Sequence, residues 1–540
     1  MPTEPTHLAQ LCRLRAQTHA ASCAVDDGVS RVTYAELAVR AEAVAVRLRE
    51  LDIGPGDRVV LQGRNRVAWV VAAFGALAAG ATLAPIGHGV PDPERERLLA
   101  TLAPAAVVAE SAGQDGARVR WLSFDEVMAP ARRRDSASQS ADSGLLSPGS
   151  GEQRPGSTEA VALVLASSGT TGAVKLVPMT HRQLLRLYAD VTARLGVTED
   201  DRLLGVLPLA HSFGLNGMLL VAMLAGATVH LCPAYDREGT AALIREERLS
   251  VLSGPPTLFH DLERYAGPDG LEGTARLAVV GGQTVQVEPL LAAARRLGLR
   301  EVVIGYGMTE ACGTVALARL TIPPPADPGL CSAETGECAA EPGDVPAALT
   351  PIPGVELRIG RPDAPLPAGV PGPILVRGYN VAVPAVDGWY DTGDLGVLDA
   401  GGLLSVIGRS SDRVIVSGFN VHPRDVERVL VTHPEVEQVV VVGVPDERRG
   451  ERLVACVVPG EGTLDTEELR AFARERLSAY QVPTDVLVFP DLPLTPTGKI
   501  ARAVLLDRVT DRLATGPLPP REGSLPAPRD DGAAVRKVSP

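Results

Sequence analysis

A segment of small hydroxyl residues and glycines follows directly on an apolar run. The run VALVLA covers 161–166, and the residues after it are Ser167, Ser168, Gly169, Thr170, Thr171 and Gly172, with Lys175 three positions further on. Glycines let backbone N–H groups approach phosphate oxygens closely, and hydroxyls and a lysine add donors and positive charge. A flexible Ser/Gly turn would have the same composition, and the lysine does not adjoin the second glycine as a P-loop requires. We therefore predict a phosphate loop that is not a P-loop.

Two further segments could hold a metal ion and a nucleoside. In GYGMTEACG, Tyr306 could stack a base and the Thr309–Glu310 pair could hold a metal ion. Glu310 occupies the position where a dinucleotide fingerprint needs its last glycine, so a Rossmann interpretation fails. In GWYDTGDLG, Asp394 could accept hydrogen bonds from ribose hydroxyls. Each segment alone is more often an ordinary loop.

Three more segments contain residues with possible chemical roles. PLAHSFGLNG (208–217) contains His211, which could instead cap a loop at a strand end. IGRSSDRVIVSGFNVHPRDVE covers 407–427, and PLTPTGKIAR (493–502) presents Lys499 in a Gly-Lys turn. A lysine there could neutralise an anion, although such turns are common without a function.

Alternating helices and strands must position these residues. Thr33 and Glu36 form a capping-box signal for a helix through about Leu51, and charged or Ala-rich helical patterns recur between short apolar runs. We predict strands at 58–62, 81–86, 105–110, 161–166, 206–210, 227–232, 277–282 and 302–307. Strands separated by helices favour parallel, doubly wound α/β sheets. Two later runs, 354–359 and 373–378, predict a β-rich unit.

The pattern changes after Gly408. Strands are predicted at 413–418, 438–444, 453–458 and 485–489, with one helix starting at Pro423 and another over 466–480. This predicts a large domain over 1–408, a small α+β domain over 409–511 and a disordered tail over 512–540. Within the large domain, 132–160 is predicted to be a flexible loop, and 321–352 is an irregular, proline-rich segment.

Composition narrows the functional classes. With 540 residues the chain exceeds one average domain, and its net charge of −13 argues against general binding of nucleic acid or anionic membrane. Seven cysteines without a CxxC pair make no disulfide or zinc framework. No stretch approaches the length of a membrane span, so we expect a cytoplasmic protein.

Together, in this order and spacing, the motifs resemble the adenylate-forming superfamily of acyl-CoA synthetases, nonribosomal peptide adenylation domains and luciferases. The resemblance covers roughly residues 8–510, and VSGFNVHPRDVE is most similar to acyl-CoA synthetases. It implies a large N-terminal domain and a small mobile C-terminal domain. It also implies that ATP activates a carboxylic acid as an acyl-adenylate with release of pyrophosphate. Transfer to CoA then gives acyl-CoA and AMP.

The same resemblance implies a role for each matching residue. Residues 167–172 and Lys175 would lie over the β- and γ-phosphates, and Glu310 would hold Mg²⁺. Gly281, Gly282, Tyr306, Gly307 and Met308 would border adenine and the acyl group, and Asp394 and Arg409 would bind the ribose. The implied catalytic residues are Thr309 at the α-phosphate, His211, and Lys499 bridging the carboxylate and the α-phosphate. The substrate pocket and thiol channel would be lined by His211, Phe213, Gly214, Gly305, Ser417, Gly418 and Phe419.

The chain also departs from the family pattern. Ser411 stands at a hinge position that is usually Asp or Lys, and 321–352 is longer than the usual connection. These departures leave a second acceptor open, namely the phosphopantetheine of an acyl carrier protein, an amine or a hydroxyl. A non-catalytic binding module is disfavoured because Lys175, Glu310 and Lys499 are all present. The acid and the oligomeric state stay open.

Overall fold

The computed structural model describes most of the chain. The described residues are 5–110, 119–129, 158–168, 174–267, 270–271, 275–282, 285, 287–322, 348–409, 414–416, 419–446, 450–460, 464–495 and 499–515. They belong to two compact units. The large unit comprises Met1–Arg413 and Leu494–Lys499, and the small unit comprises Val414–Pro493 and Ile500–Pro540.

The large unit consists of alternating helices and strands. Its strands are β1 (Cys23–Asp26), β2 (Arg31–Thr33), β3 (Arg58–Gly63), β4 (Thr82–Gly87), β5 (Ala106–Ala109), β6 (Arg120–Ser123), β7 (Val161–Ser168), β8 (Val174–Thr180), β9 (Arg202–Gly205), β10 (Thr228–Leu231), β11 (Val251–Gly254), β12 (Leu277–Val280), β13 (Glu301–Tyr306), β14 (Ala316–Thr321), β15 (Thr350–Pro351), β16 (Val355–Ile359), β17 (Gly372–Gly378), β18 (Tyr390–Leu398) and β19 (Leu404–Arg409). Its helices are α1 (Leu8–Thr18), α2 (Tyr34–Glu50), α3 (Val67–Ala79), α4 (Asp92–Leu102), α5 (Phe124–Met128), α6 (His181–Leu195), α7 (Ser212–Gly214), α8 (Val221–Ala225), α9 (Arg237–Glu246), α10 (Pro256–Glu263) and α11 (Val287–Arg296). A π-helical turn, Leu215–Leu220, joins α7 to α8, and a 3₁₀ turn covers Thr309–Ala311.

Two sheets of the large unit are mainly parallel. One has the order β15-β14-β13-β12-β11-β9-β10-β1-β2, with antiparallel pairing at β14, β15 and β2, and the other has the order β6-β5-β3-β4-β7-β8, with β8 antiparallel. The predicted α/β class is thereby confirmed. Adjacent parallel strands end at one edge of a sheet, where ligands bind in such folds. The ends of β12 and β13 therefore bring Gly281, Gly282 and Gly307 to the same edge.

Small aliphatic side chains build the core between these layers. Nearly every residue of α3 is buried, and the helix is composed mainly of Ala and Val. The predicted capping box of Thr33 and Glu36 is present at the start of α2, and Thr180 with Gln183 forms another at the start of α6. Aromatic residues make up only 3% of the chain, and the core is nevertheless continuous because Ala, Val and Leu side chains fill it.

A third sheet of the large unit is antiparallel, with the order β16-β17-β18-β19. It corresponds to the predicted β-rich unit. Asp394 on β18 pairs with Arg409 on β19, and the ladder shifts register between Leu395 and Gly396. This sheet therefore brings the two expected ribose ligands opposite each other along the backbone.

The small unit is an α+β domain. It contains β20 (Val414–Val416), β21 (Phe419–Val421), β22 (Val436–Asp446), β23 (Gly450–Pro459), β24 (Asp485–Val488), α12 (Pro423–Leu430), α13 (Thr466–Arg476) and α14 (Arg502–Thr515). Its sheet has the order β21-β20-β23-β22, and β24 pairs with β23. Helix α13 ends at Arg476 rather than at 480, and α14 continues past residue 511 to Thr515.

One predicted strand is wrong. Residues 206–210 form a turn, and the strand lies just before them at Arg202–Gly205. Pro208 has no N–H to donate to a ladder, and its carbonyl accepts the His211 N–H at 3.1 Å. The predictions for 132–157, 323–347 and 516–540 lie outside the described residues. Among the helices that the structure describes, none is long and apolar enough to cross a membrane.

Candidate functional site

A cavity of about 130 Å³ opens in the large unit at the ends of β12 and β13. The start of α7 and one face of α6 complete its wall. The sequence-predicted residues that line it are His211, Phe213, Gly214, Gly281, Gly282, Gly305, Tyr306, Gly307, Met308, Thr309 and Lys499. Residues from four separate sequence motifs thus meet around one space.

Lys499 reaches this cavity as part of the large unit. Its Cε lies 3.3 Å from where a Cβ on Gly282 would be, and Gly282 has φ +81°. A side chain at Gly282 would therefore be strained and would crowd the lysine. In its own turn, the Lys499 N–H donates to Thr495 Oγ1 at 3.1 Å, and its carbonyl accepts the Thr495 N–H at 2.6 Å.

His211 caps the start of α7 on the cavity wall. Solvent reaches the ring within the cavity, but the surrounding protein restricts its hydration. This desolvation, together with the smaller effect of the positive charge of Lys499, lowers the pKa of His211 to about 4. The imidazole is therefore neutral at neutral pH, and it can donate or accept a hydrogen bond beside the ammonium group.

Tyr306 and Asp394 are joined by a hydrogen bond. The Tyr306 hydroxyl donates to Asp394 Oδ2 at 2.9 Å, and Asp394 is buried. The turn before Asp394 is fixed by its own polar groups, since Thr392 Oγ1 accepts the Asp394 N–H at 3.1 Å. The sequence motifs predict a nucleoside contact for each residue separately. They do not predict the bond between the two, because 88 positions separate them.

The expected phosphate lysine lies beside an aromatic ring. Lys175, on β8, has its Nζ 5.2 Å from the ring centroid of Tyr390, and its backbone pairs with Ser167 on β7. Tyr390 was not singled out in the sequence, although it belongs to the same GWYDTGDLG segment as Asp394. The ring packs against the lysine and limits the positions that its ammonium group can take.

Several expected ligands are described only in part. Gly169, Thr170, Thr171, Gly172, Ser411, Ser417 and Gly418 lie outside the described residues, and for Ser167, Ser168, Arg409 and Phe419 only the backbone path is described. The phosphate loop and the thiol channel therefore keep the status of predictions.

Thr309 and Glu310 form the 3₁₀ turn after β13. The Glu310 carbonyl accepts the Ala382 N–H at 2.9 Å, which ties the turn to the chain between β17 and β18. A carboxylate and a hydroxyl on adjacent residues offer the hard oxygen donors that Mg²⁺ prefers. The donor set thus fits a magnesium ion.

The inner wall of the cavity contains residues that the sequence did not reveal. Tyr188, Val191 and Leu195 line it from one face of α6, together with Leu207 and Leu317. Their spacing in α6 is that of an ordinary amphipathic helix, so nothing in the sequence separates them from core residues. Apart from Lys499, no charged side chain lines the cavity within the described part of the chain.

Comparison with known families extends the resemblance along the chain. Residues 12–383 match the family described as AMP-binding enzyme, and residues 425–499 match the AMP-binding enzyme C-terminal domain.

Similar proteins include two bacterial enzymes. A Rhodococcus jostii CoA ligase, named for a methyl-dioxo-octahydroindenyl propanoyl group, is 32% identical, covering 94% of this chain and 99% of its own length. A feruloyl-CoA synthase from Amycolatopsis is 31% identical, covering 91% and 96%.

A solved structure is also similar. The o-succinylbenzoate CoA synthetase of Bacillus subtilis in complex with ATP and magnesium is 26% identical, with a TM-score of 0.73 over 92% of this chain and 99% of that chain.

Proposed function

The chain belongs to the AMP-binding enzyme family, and from that membership we propose how its own residues carry out the reaction. It is an AMP-forming acid–thiol ligase. It activates a carboxylic acid with ATP as an acyl-adenylate, releases pyrophosphate and transfers the acyl group to CoA. The observation that supports the residue roles is the cavity where His211, Thr309 and Lys499 meet.

The first half-reaction brings two anions together. A carboxylate oxygen attacks the α-phosphorus, the bond to the β-phosphate oxygen breaks, and pyrophosphate leaves. Lys499 binds the carboxylate and the α-phosphate and offsets their repulsion, while Thr309 donates a hydrogen bond to the α-phosphate. Neutral His211 orients the carboxylate without adding charge.

The nucleotide is held by groups around the Tyr306–Asp394 hydrogen bond. Tyr306 presents its ring to adenine, and Asp394, with Arg409 opposite it, binds the ribose hydroxyls. Residues 167–172 and Lys175 bind the β- and γ-phosphates. Glu310 would hold Mg²⁺, which when bound neutralises charge on the phosphates.

The second half-reaction transfers the acyl group to a thiol. The CoA thiolate attacks the acyl carbonyl carbon, AMP leaves with the former carboxylate oxygen, and a thioester forms. We assign Ser417, Gly418 and Phe419 to the channel for the pantetheine arm. An acyl carrier protein could supply the same thiol, and the acceptor is therefore part of the test.

The inner wall favours an acid with an uncharged, apolar body. Val191, Leu195 and Leu317 offer no partner for a second charge, and burying an unpaired charge is costly. The acyl groups in the names of the two bacterial relatives, which carry ring systems, agree with an apolar body.

A panel of acids tests this function. Monocarboxylic acids with apolar ends, including ferulate, should release pyrophosphate and AMP with kcat/KM at least about 100-fold above dicarboxylic acids of matched length. Mass spectrometry of the products, with CoA, with a phosphopantetheinylated carrier protein or with neither, identifies the acceptor. Acid-dependent pyrophosphate from none of the acids would overturn the proposal, and equal use of the matched dicarboxylic acids would overturn the assignment of the wall.

A further inference from the structure

The turn that carries Thr309 and Glu310 is closed mainly by its own backbone. The N–H groups of Ala311 and Gly313 both donate to the Met308 carbonyl, at 3.0 and 2.9 Å. The N–H of Cys312 donates to the Thr309 carbonyl at 3.0 Å. These bonds leave the carbonyls of Ala311, Cys312 and Thr314 to find donors elsewhere, and a buried carbonyl without a donor is costly.

Three buried, uncharged side chains supply those donors. The Tyr188 hydroxyl donates to the Cys312 carbonyl at 2.9 Å, and the Asn216 amide donates to the same carbonyl at 3.4 Å. The Asn380 amide donates to the Thr314 carbonyl at 3.1 Å and to the Ala311 carbonyl at 3.4 Å.

The donors have a common character but separate origins. Tyr188, Asn216 and Asn380 are each at most 1% exposed. They come from α6, from the π-helical turn and from the chain between β17 and β18, respectively. We call the three side chains the carbonyl clamp.

The backbone of the turn is strained where the clamp acts. Cys312 has φ +57°, a left-handed conformation that a residue with a Cβ rarely adopts without compensation from its surroundings. Gly313 has φ +109°, and a Cβ there would collide with the Tyr188 hydroxyl. Two donors meet the carbonyl of the strained residue itself, so the clamp stabilises a conformation that the turn alone would not favour.

We propose that Tyr188, Asn216 and Asn380 are positioning residues that fix Thr309 and Glu310 for the reaction. This inference rests on the proposed function of those two residues. The clamp acts through the backbone carbonyls, and its members hold no charge, so it fixes the turn in the same way at any working pH. The Glu310 carboxylate, which would hold the metal ion, then keeps its position while nucleotide and acid bind.

A matched pair of tyrosines provides the first test. Tyr188→Phe removes one buried hydroxyl that donates to a backbone carbonyl, and Tyr34→Phe removes another. Tyr34 is also fully buried, and its hydroxyl donates to the Ala227 carbonyl at 2.7 Å, away from the residues that line the cavity. Both variants should lower the unfolding temperature to a similar extent.

Only Tyr188→Phe should alter the chemistry. We expect it to lower kcat for acid-dependent pyrophosphate release about 10-fold, and to raise the Mg²⁺ concentration for half-maximal rate several-fold. Tyr34→Phe should leave both values unchanged.

A second variant separates positioning from a change in the cavity wall. Tyr188 lines the cavity, whereas Asn380 does not, so Asn380→Leu breaks the clamp without touching the acid. It should change kcat and the Mg²⁺ dependence in the same direction as Tyr188→Phe. Wild-type values in both clamp variants would overturn the inference.

Hydrogen exchange gives a readout that needs no activity. The amides of residues 311–315 should exchange at least about five-fold faster in Tyr188→Phe and in Asn380→Leu than in Tyr34→Phe. A protein that activates no acid but shows this faster exchange would contradict the proposed function and retain the clamp. Unchanged exchange in the clamp variants of an enzyme that does activate acids would contradict the clamp and leave the proposed function standing.

Discussion

Two segments bring functional side chains to the cavity, and they are held in different ways. The turn around Thr309 and Glu310 is fixed by the carbonyl clamp, whose three side chains are buried and uncharged. Lys499 is exposed, and its backbone N–H and carbonyl are both hydrogen-bonded to Thr495.

The difference follows the chemistry that each segment has to perform. In the proposed function Thr309 and Glu310 act on the phosphates, and a group that stabilises developing charge works best when its position is fixed before the reaction. The family resemblance implies that Lys499 acts only in the first half-reaction and is then withdrawn. An exposed turn can move at a lower cost than one whose carbonyls are buried on side-chain donors.

The largest expected effect tests the transient role of Lys499. Lys499→Ala should lower acid-dependent pyrophosphate release by about 100- to 1,000-fold, because it removes the charge that offsets the two reacting anions. Thioester formation from supplied acyl-adenylate should stay within a few-fold of wild type, as measured by quenched-flow mass spectrometry.

Lys499→Arg provides the charge-retaining control and should keep more of the first activity than the alanine variant. If Lys499→Ala lowered the rates of both half-reactions equally, Lys499 would not act in the first half-reaction alone. The contrast with the fixed turn around Thr309 and Glu310 would then be wrong.

The two units also differ in how their buried ionisable side chains respond to pH. In the large unit, burial lowers the pKa of His181 and of His230 to about 4, below the ordinary 6.5. The unfolded chain therefore binds protons first as the pH falls from about 6.5 to 4, and each histidine removes about 3 kcal/mol of stability over that window. In the small unit, burial raises the pKa of Glu427, despite the N–H of Val441 at 2.8 Å and the nearby Arg502.

The pH dependence of stability that Glu427 contributes is opposite to that of the two histidines. A carboxyl whose folded pKa is raised contributes stability that is present at low pH and is lost as the pH rises through that pKa. Between pH 6.5 and 4.5, hydrogen exchange corrected for intrinsic rates should show falling protection in β3 and β10 and no such fall in β22 and β23.

Glu427→Gln serves as the control for this pH experiment. Glutamine cannot titrate, so protection in the small unit of this variant should no longer depend on the ionisation of residue 427. Protection in the large unit should still fall as the pH falls. Parallel loss of protection in both units of the wild-type protein would remove the distinction.

Short apolar runs predicted most of the strands, because a parallel strand that is buried on both faces forms an uninterrupted run of apolar residues in the sequence. The error at 206–210 arose because the side chains around Pro208 are apolar. Proline has no N–H to donate to a strand ladder, and the segment forms a turn. The motifs also predicted residues that line the cavity, such as His211 and Met308. They could not predict the clamp, since Tyr188 lies 124 positions from Cys312 and follows an ordinary helical pattern.

The smallest effect concerns the position of Lys499 in solution. Desolvation is the larger cause of the low pKa of His211, and the charge of Lys499 is the smaller one. Lys499→Met keeps an apolar stem and removes the charge, so the pKa of His211 should rise from about 4 by less than half of the interval to 6.5. NMR of labelled histidine, with the His211 resonance identified through His211→Gln, measures this rise. Lys175→Met is the matched control, because Lys175 lies against Tyr390 and is not among the residues that line the cavity. An unchanged pKa in Lys499→Met would mean that the lysine does not dwell beside His211 before substrates bind, and the Lys499 segment would then have to be brought to the cavity by the nucleotide.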